Sequence, residues 1–451
     1  MFVFVSPAFS TKGGCWMSRW TCMAATLLVA LLAGLNPPSS AEDWRGFRGN
    51  DGSGISREEV STPTRWSGTE NLRWSIELPG AGSSSPIVVG EKVLVTCYSG
   101  YGNPTGGTTE ISGLKRHLVC VDRQTGKELW RSTVESASQE DAYQGFITEH
   151  GYASSTPVSD GEMIVSFFGK AGVMAHDMQG KRLWKTDVGQ QSGSCLWGSS
   201  GSPILAGNVV IVNASDESLS IRGLDKTNGK ELWKAEARGL ENSFGTPLQV
   251  SVDGHNEIVF AVPGEVWGLA PATGKLLWYA STATDSNVSP SPVFHDNTVF
   301  CMGGRRGSTT AIRLGGKDDV TDSHLAWSSE ASSYVPSPVV HEGYLYWVSD
   351  RGIAYCLKAD NGEMIYQERL ASSSGFGGGR GFYASVVLAN KKLYAVSRSA
   401  GVFVLAAATQ FKQLGQNRLE NDNSQFNGSP AISRGQIFLR SNIRLYCIET
   451  N

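Results

Sequence analysis

Short apolar runs, each bounded by polar turns, follow one another through this chain, and the third such group is representative. Alternating Val, Ile and Leu predict strands over Gly201–Leu205, Val209–Val212, Leu219–Leu224 and Glu231–Ala235, with Asn228-Gly229 as a tight reversal. The group reads as a buried antiparallel meander of four strands.

The same group returns along the sequence. It opens on a small residue and proline at Ser85, Thr156, Ser202, Thr246, Ser291, Ser337 and Ser429, with Ala384-Ser385 as a copy lacking the proline. It closes on an aromatic at Trp130, Trp184, Trp233, Trp278, Trp327, Tyr366 and Phe411. After Thr156 the openings recur every 44 to 47 residues, the length of one four-stranded propeller blade. The last copy stops at Asn451 before its closing strand, and a matching strand, Leu72–Leu78, stands ahead of the first opening. A sheet edge left open presents unpaired N–H and C=O groups. The expected fold is therefore all-β: an eight-bladed β-propeller of four-stranded antiparallel blades over 71–451, with the strand at about 71–78 completing the last blade.

The rest of the chain sorts around that ring. Residues 1–41 read as a secretory signal, with Met17 as the expected start, Arg19 as the basic residue and Ser39-Ser40-Ala41 as a small-residue cleavage site. Residues 42–70 form an irregular segment whose Trp44, Arg45, Phe47 and Arg48 are expected to lie against the ring. The protein is expected to be exported, periplasmic or extracellular, monomeric and without a membrane anchor. A net charge of −3 gives no general attraction to nucleic acid. Six cysteines follow the signal. Cys120, Cys356 and Cys447 share one repeat position with Ala175, Gly223, Gly268 and Ala311, which marks them as small apolar fillers. A Cys97–Cys120 bridge is the alternative that export leaves open. No metal-ligand spacing is present.

In this topology the long connections, 98–117, 131–154, 185–200 and 371–383, fall on one face, where function is to be sought. Basic residues recur there between second and third strands: Lys170, Arg305, Arg306, Arg351, Arg398 and Arg440. A collar of such groups would suit an anionic ligand, while local pairing, such as Arg351 with Asp350, is the plainer reading. Asp216-Glu217 and Glu265 interrupt the series. Glu149 and His150 end one long loop without a visible nucleophile or third partner, so a structural role outweighs acid–base work. Trp197 and Trp267 could stack on a flat ligand or plug the channel mouth.

The openings and phrases such as CVDRQTGKELW, GLDKTNGKELW and GLAPATGKLLW resemble pyrroloquinoline-quinone-like repeats across nearly all of the chain after the signal. DWRGFRGNDGSG and HGYASSTP also resemble exported propellers of planctomycete-type bacteria. The resemblance reaches the propeller lipoprotein of outer-membrane protein assembly, a scaffold without cofactor. More distantly it reaches the quinoprotein alcohol dehydrogenases, which use pyrroloquinoline quinone and calcium. The dehydrogenases' adjacent cysteine pair and the lipoprotein's lipid-attachment motif are both missing from this sequence, and none of the dehydrogenases' metal ligands or catalytic residues can be matched. The favoured expectation is a binding or scaffold module that holds an envelope protein or an acidic glycan on its long-loop face. Oxidation of alcohols or sugars is the alternative.

Overall fold

The computed structural model describes residues 42–104, 106–284, 286–304, 307–370 and 380–450, so the signal segment, Arg305, Arg306 and most of the 371–383 connection lie outside it. Eight sheets of antiparallel blades follow one another, and the first seven run from an inner strand to an outer one in chain order. Blade three comprises Ile204–Ala206, Val209–Ala214, Ser220–Asp225 and Glu231–Glu236, close to the strands expected from its pattern. Blade eight takes its first three strands from Ala431–Ser433, Gln436–Arg440 and Arg444–Ile448, and its outermost from Leu72–Glu77. Trp74 lies opposite Cys447 in that pairing. Among the described residues no helix is long and apolar enough to cross a membrane.

The repeat's two signatures now have physical causes. The closing aromatic lies across the strand from one small residue: Trp130 opposite Cys120, Trp184 opposite Ala175, Trp233 opposite Gly223, Trp278 opposite Gly268 and Tyr366 opposite Cys356. A Cβ on Gly223 would stand 2.2 Å from the Trp233 ring, which leaves room for little more than hydrogen there. Five indoles then donate to the next blade, while that of Trp278 donates to Glu257 Oε2 of its own blade at 2.7 Å. Trp74 donates to Arg123 O, Trp130 to Met178 O, Trp184 to Lys226 O, Trp233 to Pro271 O and Trp327 to Ala359 O. The tryptophans are wedges between blades, as their spacing implied.

Two departures occur. Phe411 does not occupy the wedge position expected of it. It precedes the outer strand Gln413–Asn417, and Gly415 stands opposite Val404 instead. The gap is served by Trp66 of the N-terminal segment, which is buried 6.3 Å from the Tyr394 ring. In blade four, Asp318–Asp319 adds a parallel fifth strand beside Trp278 and Tyr279. All six cysteines after the signal are free, so Cys97 and Cys120 are not bridged; Cys97 pairs across the strands with His117 and Cys120 with Leu94.

The segment from Trp44 to Ile55 closes one end of the axial channel, beside the turns that join first and second strands. Trp44 pairs with Val88 and Ile55 with Leu388. Arg48, 1% exposed, donates to the carbonyls of Gly52, Ser53, Ser337, Pro338 and Val386. Gly52 and Gly54 adopt φ of 72° and 76°, and Cβ atoms there would stand 3.1 Å from Leu248 and 2.7 Å from Arg48.

Candidate functional site

The opposite end of the channel holds a cavity of about 150 Å³. Its inner wall is built from the repeat openings. The backbone N–H of Ser85 donates to Thr156 Oγ1, that of Thr156 to Ser202 Oγ, and so through Thr246, Ser291, Ser337 and Ser385 to Ser429, each at 2.9–3.0 Å. Ser429 N–H donates to Ser85 Oγ at 3.0 Å and closes the circle. Ser385 keeps its place without the proline, so the hydroxyl, rather than the proline, is the element common to the eight openings.

Over this wall sits an aromatic group from several loops. The Trp197 ring lies 4.6 Å from Phe146, 5.1 Å from Phe244 and 6.3 Å from Tyr334. The Arg380 guanidinium covers Phe146 at 4.9 Å and Tyr334 at 4.2 Å. Arg398 lies 4.3 Å over Tyr383, pairs with Glu149 at 2.6 Å and bonds Asn427 and Gln425. His150 Nε2 faces Trp197 O at 2.8 Å and must donate to it; Nδ1 then accepts from Ser154 Oγ at 2.6 Å. Burial lowers the His150 pKa and keeps the ring neutral. With both nitrogens engaged, His150 ties its own loop to that of Trp197.

The loop over 187–200 is anchored a second time. The short helix Ser215–Ser218 brings Asp216 and Glu217 beneath it. Asp216 accepts the N–H groups of Gly193 and Gly198, and Glu217 accepts Ser199 Oγ. Lys170 pairs with Asp141 at 2.8 Å and bonds Ser192. Burial first, then the nearby Asp141 charge, push Asp216 up to about 6; burial and Asp216 push Glu217 well above the usual carboxylate range.

The basic residues singled out in the sequence thus have separate surroundings. Arg398 reaches the cavity mouth, and Lys170 is engaged beneath the neighbouring loop. Arg440 is 1% exposed and donates to the carbonyls of Ser84 and Thr96, behind the ring. Arg351 is exposed, and Asp350 faces the Tyr334 N–H instead of pairing with it. Trp197 and Glu149 belong to the cavity; Trp267 donates to Glu265 and is not among its lining residues. Phe146, Phe244, Tyr334, Tyr383 and the hydroxyl ring were not singled out. Only the ring had a visible signal, the recurring Ser or Thr.

Comparison with known proteins adds a family. A family model described as outer membrane protein assembly factor BamB matches residues 114–368. A polyvinylalcohol dehydrogenase of Pseudomonas sp is 24% identical over 374 residues, covering 75% of this chain and 53% of that protein. The chain therefore spans about half of that relative's length. BamB of Yersinia pestis is 22% identical over 275 residues, covering 58% of this chain and 64% of that protein. The crystal structure of BamB from Moraxella catarrhalis superposes with a TM-score of 0.58 at 14% identity, covering 84% of this chain and 97% of that one.

Proposed function

The chain belongs to the family described as outer membrane protein assembly factor BamB, and from that premise we propose that it is an exported binding module holding an envelope protein against its long-loop face. The observation that carries this reading is the cluster of Phe146, Trp197, Phe244 and Tyr334 under Arg380 at the mouth of a one-ring-sized cavity. Aromatic and arginine side chains around a pocket are the usual anchors of protein interfaces. A cavity of about 150 Å³ is the size that accepts one benzene-like group, so a partner would insert a single side chain or terminus.

Quinone-dependent oxidation of alcohols or sugars is the second reading, favoured by the likeness to polyvinylalcohol dehydrogenase. The aromatic walls and two guanidinium groups suit a flat carboxylated ring. The rest fits that group poorly. The cavity is smaller than the roughly 300–1,000 Å³ of pockets for larger ligands. Among the described residues no group of three or more His, Cys, Asp or Glu could hold the accompanying calcium, and no two cysteines are adjacent in the sequence.

The two readings separate in one experiment. A photo-crosslinker at position 197 should capture an envelope protein in cells of the native host, and one at Leu232 on the outer strand should not. Capture should be lost in an Arg380→Ala background. Equal capture at both positions would discard the binding face, capture of glycan alone would replace the protein partner, and dye-linked oxidation with added quinone and calcium would favour the enzyme.

A further inference from the structure

All eight ring residues line the axial cavity, and all are buried, from 1% exposure at Thr156 and Ser337 to 7% at Thr246 and Ser291. Each hydroxyl oxygen accepts one backbone N–H, as described above, which leaves its O–H as a donor. Among the described residues none of the eight donates that proton to a protein acceptor, so up to eight O–H donors converge on one small space. An oxygen that already accepts a hydrogen bond is the stronger donor for it. Two buried guanidinium groups stand directly behind the ring. Arg48 donates to the carbonyl of Ser337, itself a ring member, and Arg440 to that of Ser84, next to Ser85. Neither makes a salt bridge among the described residues, and burial lowers Arg48 to about 9 and Arg440 to about 10. A buried cation without an anion is costly. Glu149 is the single carboxylate lining the cavity, and it is already paired with Arg398.

Hydroxyl donors without acceptors, with positive charge behind them, call for the same complement. We propose that the floor of the axial cavity binds a carboxylate, with any attached ring lying against Phe146, Trp197 and Phe244. The carboxylate would come either from a free aromatic acid or from the C-terminus of a bound chain. This proposal rests on the ring and the two arginines, and it stands whether or not an envelope protein docks on the loops above.

The test uses the full chain after the signal and a pair of isosteres, benzoate and benzamide, followed by saturation-transfer NMR and titration calorimetry at neutral pH. Benzoate should bind at least ten-fold more tightly than benzamide, and Ser385→Ala should weaken benzoate several-fold. The isostere comparison needs no variant, so it remains decisive if Ser385→Ala folds poorly. Benzoate binding no better than benzamide, or neither binding at millimolar concentration, would overturn the proposal. Short peptides ending in phenylalanine, as free acid and as amide, identify the source. Preference for the acid form points to a chain terminus, and binding of benzoate alone points to a free acid.

Discussion

Ser429 and Ser85 lie 344 positions apart, yet the N–H of the first meets the hydroxyl of the second at 3.0 Å. Through that bond a series of seven equivalent contacts becomes a circle, and the first blade is held to the last at the axis as well as at the rim. Ser85→Ala removes the acceptor and leaves a buried N–H without a partner. The expected loss is about 1–3 kcal/mol by chemical denaturation, with faster hydrogen exchange at the Ser429 amide. Unchanged exchange there would mean that the axial bond does not hold the closure.

Trp74 makes the corresponding closure at the rim, 8% exposed and donating to Arg123 O at 2.8 Å. Trp74→Ala empties a wedge site between the last and first blades and should cost about 3–5 kcal/mol. Trp74→Phe keeps the bulk and loses the hydrogen bond, so it should recover most of that stability. Equal losses from both changes would place the energy in the bond rather than in the packing.

The small residue beneath each wedge gives a third expectation. Gly223→Ala drives a methyl group to 2.2 Å from Trp233 and should destabilise by about 1–3 kcal/mol. Cys120→Ala, at the equivalent place opposite Trp130, removes one atom from a site that blade two already fills with alanine, and should be nearly neutral. Thermal melts of the two single variants decide the matter.

Asp216 supplies a pH signature. Its pKa is raised in the folded protein to about 6 from 3.8, so between those values the folded state binds more protons than the unfolded one. Its contribution to stability is full below pH 3.8 and declines as pH rises through 6. Asp216→Asn holds the same N–H groups of Gly193 and Gly198 without titrating. The stability difference, native minus variant, should therefore fall between pH 4 and pH 6 and stay level above. A flat difference would mean that Asp216 is not held away from water beside Asp141.

The ring itself was legible because its causes are local and repeated. Tight turns, alternating strands and a wedge every blade leave a periodic trace, and the truncated last copy implied the closing strand at Leu72–Glu77. Where the rule is broken by a distant segment the trace misleads. Phe411 looks like a wedge, but the wedge at that junction is Trp66, which arrives from the other end of the chain. The cavity was largely illegible for the same reason. Phe146, Trp197, Phe244 and Tyr334 stand on four separate connections, each an isolated aromatic in sequence, and only the closed ring brings them together. The recurring basic residues do not share one environment. Equal spacing gives equal starting points, while the neighbours of Arg440 and Arg398 send one behind the ring and the other to the mouth.

Phe47 lines both the loop-face cavity and a larger cleft of about 470 Å³ at the other end of the axis. Thr246 and Ser291, two members of the hydroxyl ring, line both hollows as well, so what fills one bears on the wall of the other.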